Sequence, residues 1–151
     1  MFRDQDPGLK SSLQERLYDA YSQMALFLHQ QGKGEEAEGY YLKALALGRQ
    51  EPAVSYNLGN LYRERGEWAK AEESYRFALQ ADAGWAKAHM GLALCAEAKK
   101  DWQAALSEWR LFLEKEPPSD LSGQVRERIE KISAALDRAG KKAEVMPIQQ
   151  K

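Results

Sequence analysis

The sequence predicts an all-α fold, a solenoid of three stacked helix–turn–helix repeats closed by a further helix. Three observations predict it. The chain matches itself when shifted by 34 residues, without a gap. Each copy carries two apolar stripes of helical spacing. An amphipathic segment follows Pro117-Pro118. The shift aligns Gly32, Gly66 and Lys100, then Ala37, Ala71 and Ala105, then Tyr41, Tyr75 and Trp109, then Ala44, Ala78 and Phe112. Upstream, Met24, Leu58 and Leu92 align beside Ala25, Gly59 and Ala93. The copies run 18–51, 52–85 and 86–119. A fixed period of this size is the mark of a stacked-repeat architecture.

The middle copy shows the local logic best. Pro52 suits a first helical position, where its missing N–H costs nothing. Val54, Leu58, Leu61 and Tyr62 form one stripe, Gly66 stops the helix, and Trp68, Ala71, Tyr75, Ala78 and Leu79 form the second. Gly59 and Ala71 let two helices approach closely, and Tyr75 fills the space above them. Before the repeats, Ser12 and Glu15 read as a capping box, with the first helix starting near Leu13. After Pro117-Pro118, a break, Leu121, Val125, Ile129, Ile132 and Leu136 fall on one helical stripe. Arg126, Glu127, Glu130 and Lys131 fall on the other. Residues 120–138 are therefore expected to form a capping helix, charged face outward. The expected organisation is a flexible 1–11, a single domain over 12–138 and a disordered tail over 139–151.

The L-G-x-x-Y and G-x-x-x-x-A-x-x-x-Y-x-x-A patterns, carried by Leu58, Gly59, Tyr62, Gly66, Ala71, Tyr75 and Ala78, resemble the tetratricopeptide repeat (TPR) family. The resemblance implies a right-handed superhelix. Departures fall on single repeats: Arg49 and Ala83 stand where a proline is usual, Ala96 where an aromatic is common, and Lys100 where glycine is common.

Composition excludes several functions. The chain has 151 residues, 44% hydrophobic and 30% charged, which suits one folded domain. Its 22 basic and 23 acidic residues give a net charge of -1, without the excess that nucleic acid or an anionic membrane calls for. No apolar run reaches about 18 residues, so direct membrane insertion is not expected. One cysteine makes neither an internal disulfide nor a cysteine metal cluster. The polar, acidic start MFRDQDPGLKSS does not read as a secretory signal, and a cytoplasmic location is expected.

No catalytic constellation or cofactor motif emerges, and no enzyme is expected. His29 and His89 lie in different repeats, and Cys95 reads as a small buried thiol. Glu35, Glu36 and Glu38 read as solvated groups at a helix start. Trp68, Trp85, Trp102 and Trp109 read as core or half-buried packing residues.

The resemblance implies that the first helix of each repeat lines a concave peptide groove. Carried over by position, the groove takes Gln23, Leu26 and Gln30 from repeat one, Tyr56, Asn57, Asn60 and Arg63 from repeat two, and Lys87, Met90 and Leu94 from repeat three. Asn57 and Asn60 share a helix face and suit a peptide backbone. Tyr56, Leu26, Met90 and Leu94 offer apolar contact. Arg63 and Lys87 supply charge for a carboxylate. Asn57, Asn60, Lys87 and Leu94 are expected to face one concavity, none packed against the second helix of its own repeat. Some family members clamp the C-terminal carboxylate of heat-shock chaperones with five residues. The corresponding residues here are Ser22, Leu26, Asn57, Lys87 and Gly91. Only Asn57 and Lys87 match, which argues against that partner. The expected function is a non-catalytic adaptor for a protein or peptide partner. The alternatives are a self-associating scaffold, which the capping helix opposes at the C-terminal end, and a small chaperone for a secreted or assembled substrate.

Overall fold

The computed structural model describes residues 6–49, 51–116 and 118–145. Among them are seven helices: α1 (Pro7–Gln30), α2 (Gly34–Ala46), α3 (Pro52–Glu64), α4 (Trp68–Ala81), α5 (Ala86–Ala98), α6 (Trp102–Lys115) and α7 (Asp120–Val145). They pair as α1–α2, α3–α4 and α5–α6, and each pair packs on the next, with α7 against α6. The fold is an α-solenoid. Neighbouring first helices touch one another (α1 with α3, α3 with α5), whereas neighbouring second helices do not. The first helices therefore lie on the inner side of the curve.

The three intra-repeat turns share one backbone solution. Gly32 and Gly66 both sit at φ 74°, and Lys100 takes the same left-handed role at φ 61°. In each turn the following N–H closes back on the helix: Lys33 to the Leu28 carbonyl, Glu67 to Tyr62, and Asp101 to Ala96, at 2.8–2.9 Å. Orphan carbonyls at the helix end are thereby satisfied. Register beats local preference at Lys100, which holds a conformation that costs a side-chain-bearing residue about 1–2 kcal/mol.

Two ends differ from expectation. α1 begins at Pro7, not near Leu13, because Asp6 caps it first: its carboxylate accepts from the Gly8 N–H at 3.0 Å, with proline at the first turn. Ser12 and Glu15 lie exposed within the helix instead of forming a capping box. Of the segment 1–11, residues 1–5 lie outside the described residues. At the other end α7 continues through Val145, past the boundary at 138, so the start of the expected disordered tail is helical. Residues 146–151 lie outside the described residues. α7 begins after Ser119, whose hydroxyl meets that of Ser122 at 3.3 Å.

The core follows the repeat. Ala37, Tyr41, Ala44, Leu58, Ala71, Tyr75 and Ala78 are buried together, and Phe112, Trp109 and Val125 anchor a second cluster that α7 completes. Tyr75 is clasped between two glycines: a Cβ built on Gly59 or Gly91 would stand 2.6 or 2.5 Å from its ring. Trp68 and Trp85 are half-buried and Trp109 is buried, but Trp102 is exposed. Trp68 packs against the repeat core, whereas Trp102 lines an apolar cleft with Ile132 and Leu136 of α7.

Replacing fully buried Ala71 with Leu overfills the α3–α4 contact and is expected to destabilise the fold by roughly 1–3 kcal/mol in denaturant titration. Lys100→Gly relieves the left-handed turn. The released strain exceeds the added freedom of the unfolded chain, so stability rises by up to about 1 kcal/mol, read as a higher Tm.

Candidate functional site

The inner face is built from α1, α3 and α5, and one structural motif recurs along it. The aromatic residue of each second helix sends its polar tip toward the inner face, and in repeats one and three that tip meets the residue at the twelfth repeat position. Tyr41 Oη lies 3.4 Å from His29 Nδ1. Tyr75 Oη lies near Arg63, whose positive charge favours the phenolate, though burial dominates and raises the phenol above its ordinary range. Trp109 Nε1 donates to Glu97 Oε1 at 2.6 Å. In repeats one and three that residue also ties to the next helix along the solenoid. His29 Nε2 meets Glu64 of α3 at 2.8 Å. Glu97 accepts a bidentate pair from Arg128 of α7 at 2.6 and 2.5 Å, and Arg128 also stacks over the Trp109 ring.

Arg63 breaks the pattern. The residues one repeat on from Glu64 and one repeat back from Arg128 are Ala98 and Leu94, and neither can accept a hydrogen bond through its side chain. Among the described residues Arg63 forms no ion pair, and its Nε is buried without a hydrogen-bond partner. The middle of the inner face thus holds a half-buried guanidinium with no carboxylate.

The other residues expected in the groove sort by environment. Gln23, Leu26, Gln30 and Lys87 are exposed, while Tyr56, Asn57, Asn60, Arg63, Met90 and Leu94 are half-buried. Tyr56, Asn60 and Arg63 gather around Tyr75, whose ring centroid is 5.8 Å from that of Tyr56. Met90 and Leu94 lean on the C-terminal core cluster. Asn60 departs from expectation. Its Oδ1 accepts from Tyr75 Oη at 2.8 Å, so it engages the second helix of its own repeat. The cause is the absent side chain at Gly59 and Gly91, which lets the Tyr75 phenol pass through to the inner face. Among the described residues the Asn60 amide N–H2 makes no hydrogen bond.

Other expectations also shift. Glu35 and Glu36 are exposed in the first turn of α2, but Glu38 is not a solvated bystander. It accepts from Tyr62 Oη at 2.8 Å and from Arg65 at 2.6 Å, bracing repeat one on repeat two. Burial works to raise its carboxyl, yet these bonds outweigh that and hold it below the usual range. Glu72 ties to Lys99 at 2.5 Å. His89 pairs with Glu108 at 2.8 Å, away from His29 and Glu64. Cys95 is buried, and burial together with the Glu72 charge pushes its thiol up to about 11, an unreactive state. No group of three or more His, Cys, Asp or Glu among the described residues is placed to hold a metal ion, and no described helix is long and apolar enough to cross a membrane. A cleft of about 430 Å³ lies away from the inner face, between α2 and α4, walled by Leu42, Leu58 and Phe77.

Two sequence profiles, both described as tetratricopeptide repeat, match residues 16–81 and 56–117. The chain belongs to the tetratricopeptide repeat family. No curated protein matches the chain by sequence. Solved TPR structures share its fold. The first TPR of Spaghetti (RPAP3), bound to the HSP90 peptide SRMEEVD, superposes with a TM-score of 0.72 at 22% identity, covering 81% of this chain and 94% of that one. The Yersinia enterocolitica type III secretion translocator chaperone SycD gives 0.73 at 24% identity, covering 84% and 88%. The Arabidopsis OM64 TPR domain gives 0.72 at 17% identity, covering 78% and 98%.

The Glu97 knot generates a pH prediction. Burial favours the neutral acid, but hydrogen bonds from Arg128 and Trp109 prevail and lower the carboxyl in the folded state. Its stabilisation is present above the ordinary carboxylate range, near 4.5, and is lost as pH falls through the lowered folded value. Glu97→Gln should therefore lower Tm at pH 7 and leave a smaller gap to the parent protein near pH 3, in thermal melts followed by circular dichroism.

Proposed function

We propose that this TPR domain is a non-catalytic protein-interaction module that holds an extended peptide or partner segment along the inner face of α1, α3 and α5, with a carboxylate of that segment at Arg63. The observation that carries this reading is the Arg63 guanidinium, partly desolvated and without an anionic partner, at a position that is paired in the repeats on either side. A desolvated guanidinium gains most from a bidentate carboxylate. Around it, the Asn60 amide and Asn57 suit a peptide backbone. Tyr56, Met90 and Leu94 offer apolar contact, with Met90 adapting to varied side chains. Exposed Lys87 adds a second positive charge, and Gln23, Leu26 and Gln30 extend the surface toward repeat one.

Neighbours in fold support the same reading. RPAP3 carries an HSP90 peptide in one structure, and SycD carries a peptide of the translocator YopD in another. The heat-shock clamp itself does not transfer, because Ser22, Leu26 and Gly91 lack the side chains that would grip a terminal carboxylate alongside Asn57 and Lys87. The preferred partner is thus an acidic segment read chiefly at repeat two.

An arrayed set of ten-residue peptides, acidic, basic and neutral, tests this by fluorescence polarisation. Acidic peptides are expected to bind, and Arg63→Gln to weaken them about 10- to 100-fold, the scale of a lost charged hydrogen bond. Equal binding by Arg63→Gln, or selection of peptides without Asp, Glu or a free carboxylate, would overturn the reading.

A further inference from the structure

The repeat register points to a second site, away from the inner face. In each repeat the fourth residue, on the first helix, has a counterpart at the twenty-third, on the second helix. In repeat one these are Tyr21 and Tyr40, whose ring centroids lie 6.0 Å apart. In repeat three they are His89 and Glu108, hydrogen-bonded at 2.8 Å. In repeat two they are Ser55 and Ser74, the smallest of the three pairs. Both serines line the cleft of about 430 Å³ between α2 and α4. Leu42 and Leu45 of α2 and Phe77 of α4 wall it, and buried Ser55 and Leu58 of α3 form its floor. Repeat two thus has a hollow at a register that large side chains occupy on either side.

Most polar groups around the cleft are already bonded. Ser74 Oγ donates to the Lys70 carbonyl at 2.9 Å, Tyr62 Oη donates to Glu38 at 2.8 Å, and Lys70 pairs with Glu67. Lys43, next to Leu42, lies over the rings of Tyr21 and Tyr40. Glu73 at the mouth and Arg76 one turn along α4 are both exposed and opposite in charge, so the mouth favours neither sign. Ser55 differs. It is 1% exposed, and among the described residues its hydroxyl has no hydrogen-bond partner. A buried hydroxyl left unpaired is costly. It can donate or accept, so one polar atom entering the cleft satisfies it. Apolar walls around a single placed polar group are the usual makeup of a binding pocket.

We propose that this cleft takes a tyrosine side chain presented by a partner polypeptide, its ring between Leu42, Leu45 and Phe77 and its hydroxyl at Ser55 Oγ. Tyrosine joins an apolar body to a polar tip, which is what the walls and the floor call for. It is neutral, as the mixed charge at the mouth requires. Repeat one fills the same register with two tyrosines of its own. Leu42 and Phe77 remain 49% and 47% exposed, so the apolar surface runs on past the cleft. A polypeptide carrying the ring covers that surface, whereas a free phenol leaves it in water. The site does not depend on Arg63.

Capped ten-residue peptides without charged residues, identical except for a central Tyr, Phe or Leu, test this in NMR titrations of the isotope-labelled full chain. Capping removes the free carboxylate, so these peptides do not report on Arg63. The Tyr peptide is expected to bind about 3- to 10-fold more tightly than the Phe peptide, the scale of one hydrogen bond, and to shift the signals of Ser55, Leu58 and Phe77. Ser55→Ala suits a helix interior and is expected to erase the preference for Tyr without weakening the Phe peptide. Phe77→Ala, at an exposed site, is expected to weaken both, and Arg63→Gln neither. The proposal is overturned by a Tyr peptide that does not bind or binds no better than the Phe peptide, by a preference that survives in Ser55→Ala, by unchanged binding in Phe77→Ala, or by loss of binding in Arg63→Gln. Binding of p-cresol as tight as that of the Tyr peptide would make the cleft a site for free phenols and overturn the polypeptide occupant.

Discussion

Everything in this solenoid depends on how closely consecutive helices can approach, and the Tyr75 ring sets that distance. It fills the gap between Gly59 of its own repeat and Gly91 of the next, positions where a single methyl would collide with it. The ring therefore welds the two helices of repeat two and repeat two to repeat three at one point. The absent side chains that admit the ring also admit its hydroxyl to the inner face. One packing requirement thus places a polar atom beside Asn60 and Arg63. Fold and candidate site share a cause.

Around this weld the repeats are joined by polar knots that are similar in place and different in chemistry. Glu38 gathers Tyr62 and Arg65 at the first junction, Glu72 holds Lys99 at the second, and Glu97 gathers Trp109 and Arg128 at the third. Each joins a repeat to its neighbour alone, so cohesion is a sum of nearest-neighbour terms. Charged residues that look like ordinary surface groups thereby become part of the joints.

The fold was legible because the repeat states it several times over. The small residues, the packing aromatics and the turn position recur at one spacing, so even Lys100 could be assigned to a turn that its own preference opposes. The capping helix was legible from its stripe. What escaped detection has physical reasons. Asp6-Pro7 is a local start signal that outranked the Ser12–Glu15 pattern through helical continuity. Glu38 and Glu97 gain their roles only when Arg65, and Arg128 of α7, fold against them, at sequence distances that no window captures. Asn60 was placed on the correct helix, but its bond to Tyr75 follows from a passage between two glycines. The signal that could have found the candidate site's centre lay in the alignment: His29, Arg63 and Glu97 share one position, and the counterpart of Glu64, which pairs with His29, is Ala98, which offers Arg63 no acceptor.

That last feature has a mechanical side. On its inner face, the seam between α1 and α3 is strapped by His29 and Glu64, and the seam between α5 and α7 by Glu97 and Arg128. The seam between α3 and α5 has no such strap at Arg63, and it turns on an aromatic ring held between two bare backbones. Among the described residues the inner side of that middle seam is held by the packed ring, while its neighbours are held by charge. Salt, which screens ion pairs and leaves packing, therefore bears on the ends of the inner face more than on its middle.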